Sequence, residues 1–185
     1  MDESVLSYAA AVTGESGREY IFMETVEWIR NHPLYQTNYE QIRRQEQDRR
    51  YCGHLMDHFL DVARIAYIRN LEQRLGLSKE LIYSAALLHD IGRARQYSDG
   101  TPHDQASADI AAVILGQMPA AIAFSAKDIQ TLLAAIGSHR RDGQPQNELA
   151  RLLQVSDKLS RRCFQCLVQD SCHWDEDMKN KKILV

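Results

Sequence analysis

The sequence predicts an all-α fold, and three observations carry that expectation. Strong helix formers (alanine, leucine, glutamate, arginine and glutamine) fill the segments between turn signals. Within those segments apolar residues recur at helical spacing, as in Leu55, Phe59, Val62, Ile65 and Ala66. No run of alternating β-branched residues competes with them.

Taken in order, the first helix is expected over about Gly17 to Asn31, stopped before Pro33, whose ring cannot sit in a helix interior. The next begins near Asn38, a good cap with Glu40 in the first turn, and runs through "EQIRRQEQDRR". It leads into "YCGHLMDHFLDVARIAYIRNLEQRLG", where Gly53 either bends one long helix or separates two. Ser78 caps "KELIYSAALLHDI", and Gly92 reads as its stop. After the turn-forming loop "SDGTPHDQ", helices are expected over Ala106 to Leu115, Ala126 to Gly137 and Asn147 to about Cys166. A polar turn, "RRDGQPQ", separates the last two, and a charged, irregular tail lies against the body of the domain. The expected organisation is N-terminal helices over 1–50 packed on a core over 51–162, followed by a cysteine-containing tail over 163–185.

With 185 residues, 44% hydrophobic and 25% charged, the composition is that of one ordinary globular domain. A formal net charge of −3 gives no overall drive toward nucleic acid, whereas a small anionic ligand remains compatible. The N-terminal "MDESVLSYAA" lacks the basic segment and apolar run of a signal peptide. The stretch from Ile110 to Phe124, interrupted by Gly116, Gln117 and Pro119, is shorter than the roughly 20 residues of a membrane span. These features predict a cytoplasmic protein whose four cysteines are reduced thiols or metal ligands rather than disulfides.

The segment "ALLHDIGR" poses the chemical question, because an apolar helix ends in His89 and Asp90 side by side. A helix-end histidine beside an exposed capping aspartate explains the dipeptide taken alone. Buried, the pair needs a partner, since leaving it unpaired costs several kcal/mol. Such borderline-hard donors suit a divalent first-row metal or magnesium. Upstream, "HFLDVARIAYI" places His58 on an amphipathic helix, and downstream "LLQVSDKLSR" sets Asp157 in another apolar run.

In order and local setting, His58, His89, Asp90 and Asp157 resemble the motifs of the HD superfamily of metal-dependent phosphohydrolases, over roughly residues 50 to 162. The resemblance implies a helical HD-domain bundle in which these four residues hold one divalent metal ion; Mn, Fe, Co, Ni, Zn and Mg are not distinguished. It also makes His103 and His139 candidates for a second metal or for proton transfer, with the lack of an adjacent histidine pair at His139 favouring one ion. A metal with three or four protein donors keeps open positions for water, lowers that water's pKa and polarises a phosphoryl oxygen, which suits hydrolysis of phosphate esters or anhydrides.

Cationic residues follow each motif. Arg93, Arg140, Lys158 and Arg161 are the candidates for holding substrate phosphate, beside Arg95, Arg141 and Arg162. His54 and His58 form an H-x-x-x-H pair on one helical face, while His32 and His173 read as surface or turn residues. The expected partner is a small phosphorylated metabolite or nucleotide, with no membrane or nucleic acid, and self-association as a homodimer is left open.

Cys163, Cys166 and Cys172 form "CFQCLVQDSC", a CxxC followed by a third cysteine. Cys52 lies six residues before His58 and Cys163 six after Asp157. If the two helices run antiparallel, both offsets of about 9 Å point the same way, so all four cysteines can converge. A zinc or iron–sulfur site there competes with a set of buried thiols or a redox pair. The rivals to hydrolysis are a non-catalytic metal- and nucleotide-binding module, an HD-type di-iron oxygenase using His103 and His139, and a metal-free helical protein.

Overall fold

A computed structural model describes residues 10–13, 19–140 and 144–184. Eight α-helices make up most of the described residues: α1 (Glu24–Asn31), α2 (Pro33–Gln45), α3 (Met56–Gln73), α4 (Lys79–Leu88), α5 (Arg93–Asp99), α6 (His103–Gly116), α7 (Ala126–Gly137) and α8 (Glu148–Leu159). A short antiparallel hairpin, β1 (Ala10–Thr13) with β2 (Glu19–Phe22), precedes them, with Ala10 opposite Phe22. The expected helix from Gly17 therefore starts only at Glu24. "EYIF" is rich in the aromatic and β-branched residues that favour a strand, and Gly17 itself lies outside the described residues, as does Arg141.

Helix α4 is the axis of the bundle. Leu81, Ile82 and all of Ser84 to Leu88 are buried, because α1, α3, α6, α7 and α8 all pack against it. A helix covered from so many sides needs apolar residues around most of its circumference, hence the dense run ending in Leu88. Ser78 caps it as expected, accepting from the Leu81 amide at 3.2 Å. Helix α3 buries Phe59, Val62, Ala63, Ala66 and Asn70 along one stripe, at spacings of three and four residues. Helix α8 does the same with Leu149, Ala150, Leu152, Leu153 and Ser156. His58 and Asp157 sit beside these stripes, so the packing that forms the core also carries both toward the end of α4.

Several helix boundaries differ from the sequence expectation, each for a local reason. Helix α2 starts at Pro33 rather than Asn38, since proline is favoured at the first helical position, and the His32 ring nitrogen caps it by accepting from the Leu34 amide at 3.2 Å. Asn38 is instead buried within α2 and donates to the Leu34 carbonyl at 2.8 Å. The charged stretch divides into two helices joined by a loop that contains Gly53. Helix α4 stops at Leu88, and a new helix, α5, follows Gly92; its sequence "RARQYSD" buries only Ala94 and so carries no apolar period to read. Gly92 has φ −85°, so it is not a left-handed stop. Helix α6 begins at His103 and α8 ends at Leu159, not near Cys166. That end is closed by Asn180 of the tail, which donates to the carbonyls of Lys158 (2.6 Å), Arg161 (2.9 Å) and Leu159 (3.3 Å). Beyond it the chain runs through short 3-10 turns at Cys163–Gln165, Gln169–Ser171 and Glu176–Met178. No helix among the described residues is long and apolar enough to cross a membrane.

Candidate metal centre

His89 and Asp90 lie in the turn that follows α4, and both are fully buried. Around Asp90 the fold assembles five imidazoles from five places: His54 from the loop before α3, His58 from α3, His89 from the turn after α4, His103 from the start of α6, and His139 just past α7. Each Nδ1 faces an oxygen. His89 Nδ1 lies 2.7 Å from the Ala86 carbonyl and His139 Nδ1 2.6 Å from the Ile136 carbonyl. His103 Nδ1 lies 2.8 Å from Gln96 Oε1, and His54 Nδ1 2.6 Å from Glu46 Oε1. His58 Nδ1 is 3.2 Å from Ser160 Oγ, whose own hydrogen goes to the Asp157 carbonyl at 2.7 Å, leaving the hydroxyl oxygen to accept. With an acceptor on every Nδ1, the proton of each neutral ring belongs there and the lone pair on Nε2.

All five Nε2 atoms turn to the Asp90 carboxylate. Those of His89, His54 and His58 lie 3.4, 3.7 and 3.8 Å from Oδ2, and those of His103 and His139 each 3.4 Å from Oδ1. His58 Nε2 and His89 Nε2 face each other at 3.3 Å, and Asp157 Oδ1 is 3.5 Å from His58 Nε2. Asp90 Oδ1 and His139 Nε2 are buried with no hydrogen bond. Arg93 approaches the carboxylate from one side, but the five Nε2 lone pairs and the carboxylate face one another with no hydrogen between them and repel unless a cation lies among them, so these residues fit a divalent metal ion. Two donor groups have their ligand atoms within 4.8 Å of one another: His58, His89 and Asp90, and then Asp90, His103 and His139. Each can coordinate a divalent ion.

The electrostatics of His89 and His103 agree with this picture, while His139 is drawn the other way by Asp90. Burial pushes His89 below its usual range and His103 down to about 3, favouring neutral rings. Burial would raise Asp90, but Arg93 and His89 beside it hold it well below the carboxylate range. Burial would lower His139 as well; the adjacent Asp90 outweighs it and raises that ring.

Among the cationic candidates, Arg93 is directed inward: its Nη2 donates to Asp90 Oδ2 at 3.1 Å and its Nε lies 3.0 Å from Oδ1. Arg140 lies 3.7 Å from Asp104, the Arg161 guanidinium sits 4.4 Å from the Trp174 ring centroid, and Arg162 pairs with Asp61. Lys158 follows Asp157 on α8, where its carbonyl accepts from Asn180. The four cysteines line one separate cavity.

His54 is not on a helical face with His58; it precedes α3, and its ring meets that of His58 edge-on at 5.5 Å. Sequence reasoning missed what holds it. Glu46 accepts from the His54 amide (2.7 Å), the His54 ring (2.6 Å) and the Tyr97 hydroxyl (2.6 Å). These contacts join residues up to 51 positions apart, and no local spacing reveals them. Burial raises the Glu46 carboxyl, but the bonds from His54 and Tyr97 prevail and hold it at about 2. An acid whose folded pKa is depressed stabilises the fold above its unfolded value of about 4.3 and loses that contribution as pH falls toward the folded one. Urea titrations between pH 2 and 7 are therefore expected to show a steeper acid loss of stability in the wild type than in Glu46→Gln. Parallel curves would exclude this role.

A family model described as HD domain matches residues 55–162. An uncharacterized protein of Clostridium beijerinckii is 40% identical over 161 residues, covering 87% of this chain and 99% of that one. Ribonuclease Y of Oleidesulfovibrio alaskensis is 34% identical over 110 residues, which is 60% of this chain but 18% of the ribonuclease. The crystal structure of a predicted HD superfamily hydrolase from an uncultured Thermotogales bacterium superposes with a TM-score of 0.57 at 21% identity, covering 81% of each chain, and so shares the fold.

Proposed function

This chain belongs to the HD-domain family, and on that footing we propose that it is a phosphohydrolase for a small phosphorylated metabolite or nucleotide, with His58, His89, Asp90 and Asp157 as the ligands of one divalent ion. The observation that carries the reading is the convergence of five Nε2 lone pairs on one buried carboxylate. When bound, the ion supplies Lewis acidity, activating water and polarising a phosphoryl oxygen. Imidazole and carboxylate donors suit Mn, Fe, Co, Ni or Zn better than Mg. The chain's own residues do the rest. Arg93 fixes the Asp90 carboxylate from one side, and Ser160 orients His58. The side chains of Arg140, Lys158 and Arg161 belong to the motif ends and serve as the substrate-phosphate contacts in this reading. Reduced cysteines suit a cytoplasmic setting.

A second reading follows from the split of the donors between the two oxygens of Asp90. His103 and His139 complete a second donor group with Oδ1; these residues would hold a second ion, which, with iron, would supply oxygenase chemistry. The name of the ribonuclease Y relatives adds a phosphodiester to the substrates worth testing.

The deciding experiment is turnover of phosphomonoesters, nucleotides and short RNA by protein supplied with each divalent metal, alongside a metal count. Metal-dependent release of phosphate or nucleotide is expected, falling about a thousandfold or more in His89→Ala. Saturable nucleotide binding without turnover would instead mean a binding module, and two irons with oxygen uptake would mean an oxygenase.

A further inference from the structure

The C-terminal tail raises a separate question of what holds it. Between residues 161 and 184, Cys163 alone is buried, while Phe164, Leu167, Ile183 and Leu184 are exposed. No apolar core fixes this segment. Its contacts with the body are mainly polar: Tyr51 donates to the Ser171 carbonyl at 2.9 Å, Arg162 pairs with Asp61 and Asn180 closes the end of α8, while the His173 ring meets that of Tyr51 edge-on. Within the tail, Gln169 donates to the Cys163 carbonyl at 3.2 Å and Lys179 to the Gln169 carbonyl at 3.1 Å.

Every cysteine in the sequence lies in the wall of one cavity of about 240 Å³, together with Arg50, Arg162 and Lys179. Cys52 comes from the loop before α3, whereas Cys163, Cys166 and Cys172 come from the tail. Two 3-10 turns present the latter three: the Cys166 amide donates to the Cys163 carbonyl and the Cys172 amide to the Gln169 carbonyl, each at 3.1 Å. None of the four is in a disulfide.

The spacing of the sulfurs separates two kinds of occupant. A tetrahedral zinc with bonds of about 2.3 Å draws its thiolates to about 3.8 Å from one another. The ligand atoms of each histidine–aspartate group lie within 4.8 Å of one another, whereas no three of these sulfurs lie that close together. A cubane of iron and sulfide sits between its thiolates and holds them further apart, in a cavity rather than around a point. A cluster held by four thiolates is also an anion, and Arg50 in the wall brings a positive charge toward it, Arg162 and Lys179 being paired with Asp61 and Glu176.

We propose that Cys52, Cys163, Cys166 and Cys172 are the ligands of a [4Fe–4S] cluster that fastens the tail to the loop before α3. The cluster bridges chain segments more than 100 residues apart and supplies the cross-link that the missing apolar core does not. It lies outside the histidine–aspartate centre and stands or falls independently of it.

The test uses the full-length chain purified without oxygen from iron-supplied cells, with iron, zinc and acid-labile sulfide assayed per chain and the visible spectrum recorded. About four sulfides per chain are expected. Asp90→Ala should keep that sulfide while losing metal from the hydrolytic centre, and Cys166→Ser should lose it. Wild-type protein without acid-labile sulfide would overturn the proposal, whether the cysteines then hold zinc, form disulfides or remain free. This wild-type measurement decides the matter even if Cys166→Ser fails to fold.

Discussion

Replacing Asp90 with alanine is expected to abolish metal binding at the histidine centre and to lower turnover by a thousandfold or more, because this carboxylate is the one group all five imidazoles face. The variant also strands Arg93, which is itself mostly buried and paired to Asp90 through two nitrogens. Removing one partner of a buried pair costs about 3–5 kcal/mol, since the other charge is left without compensation. For a chain of this size, that corresponds to a fall in Tm on the order of 10 °C. The two effects can be separated. Asp90→Ala combined with Arg93→Met removes the stranded charge and should recover much of the lost stability while recovering none of the metal. Asp90→Ala protein that retains metal at the wild-type ratio, once metal at the cysteines is accounted for, would remove Asp90 from the centre.

Gly92→Ala is expected to destabilise the protein by about 3 kcal/mol, at the upper end of what overpacking usually costs. A Cβ built there would lie 2.4 Å from the Ser107 amide nitrogen and 2.7 Å from both the carbonyl carbon and Cβ of Ala106. The first two are backbone atoms of α6, so no side chain can rotate away and the helix itself must shift. The Gly92 amide also donates to Ser107 Oγ at 2.9 Å across the same contact, and that bond would be strained. Helix α6 opens with His103, so the shift should also pull its Nε2 away from Asp90. Thermal unfolding followed by circular dichroism measures the loss, and a Tm within 1 °C of wild type would show that the contact yields more easily than its geometry indicates.

The same glycine shows what a sequence can and cannot convey about such a site. Its position after the histidine–aspartate pair is visible in the sequence, and local rules make it a helix stop. The actual reason is a helix crossing 14 residues further on, which no local rule encodes. His58 and Asp157 were legible because each interrupts an apolar stripe, and the stripe has a period. Helix α7 was legible from end to end for the same reason, although the Ser125 cap that starts it was not read from the sequence. Helix α5 was not, since one buried alanine makes no pattern. Glu46 was invisible for a different reason. It is one acid in a charged run, and only the fold reveals that it meets His54 and Tyr97. The arginines were legible as a set but not in aim: Arg93 points at Asp90, and Arg161 stacks on Trp174.

The five Nδ1 anchors are not equivalent in what they expose to mutational drift. His89 and His139 are held by main-chain carbonyls, three residues back at the end of a helix in both cases. Any residue at 86 or 136 supplies that oxygen, so substitutions there can change packing without releasing the ring. His54, His58 and His103 hang on side chains, Glu46, Ser160 and Gln96, each of which a single codon change can remove. Two of the five rings are thus insulated from sequence change at the positions that anchor them, while the other three each depend on one side chain that a single substitution removes.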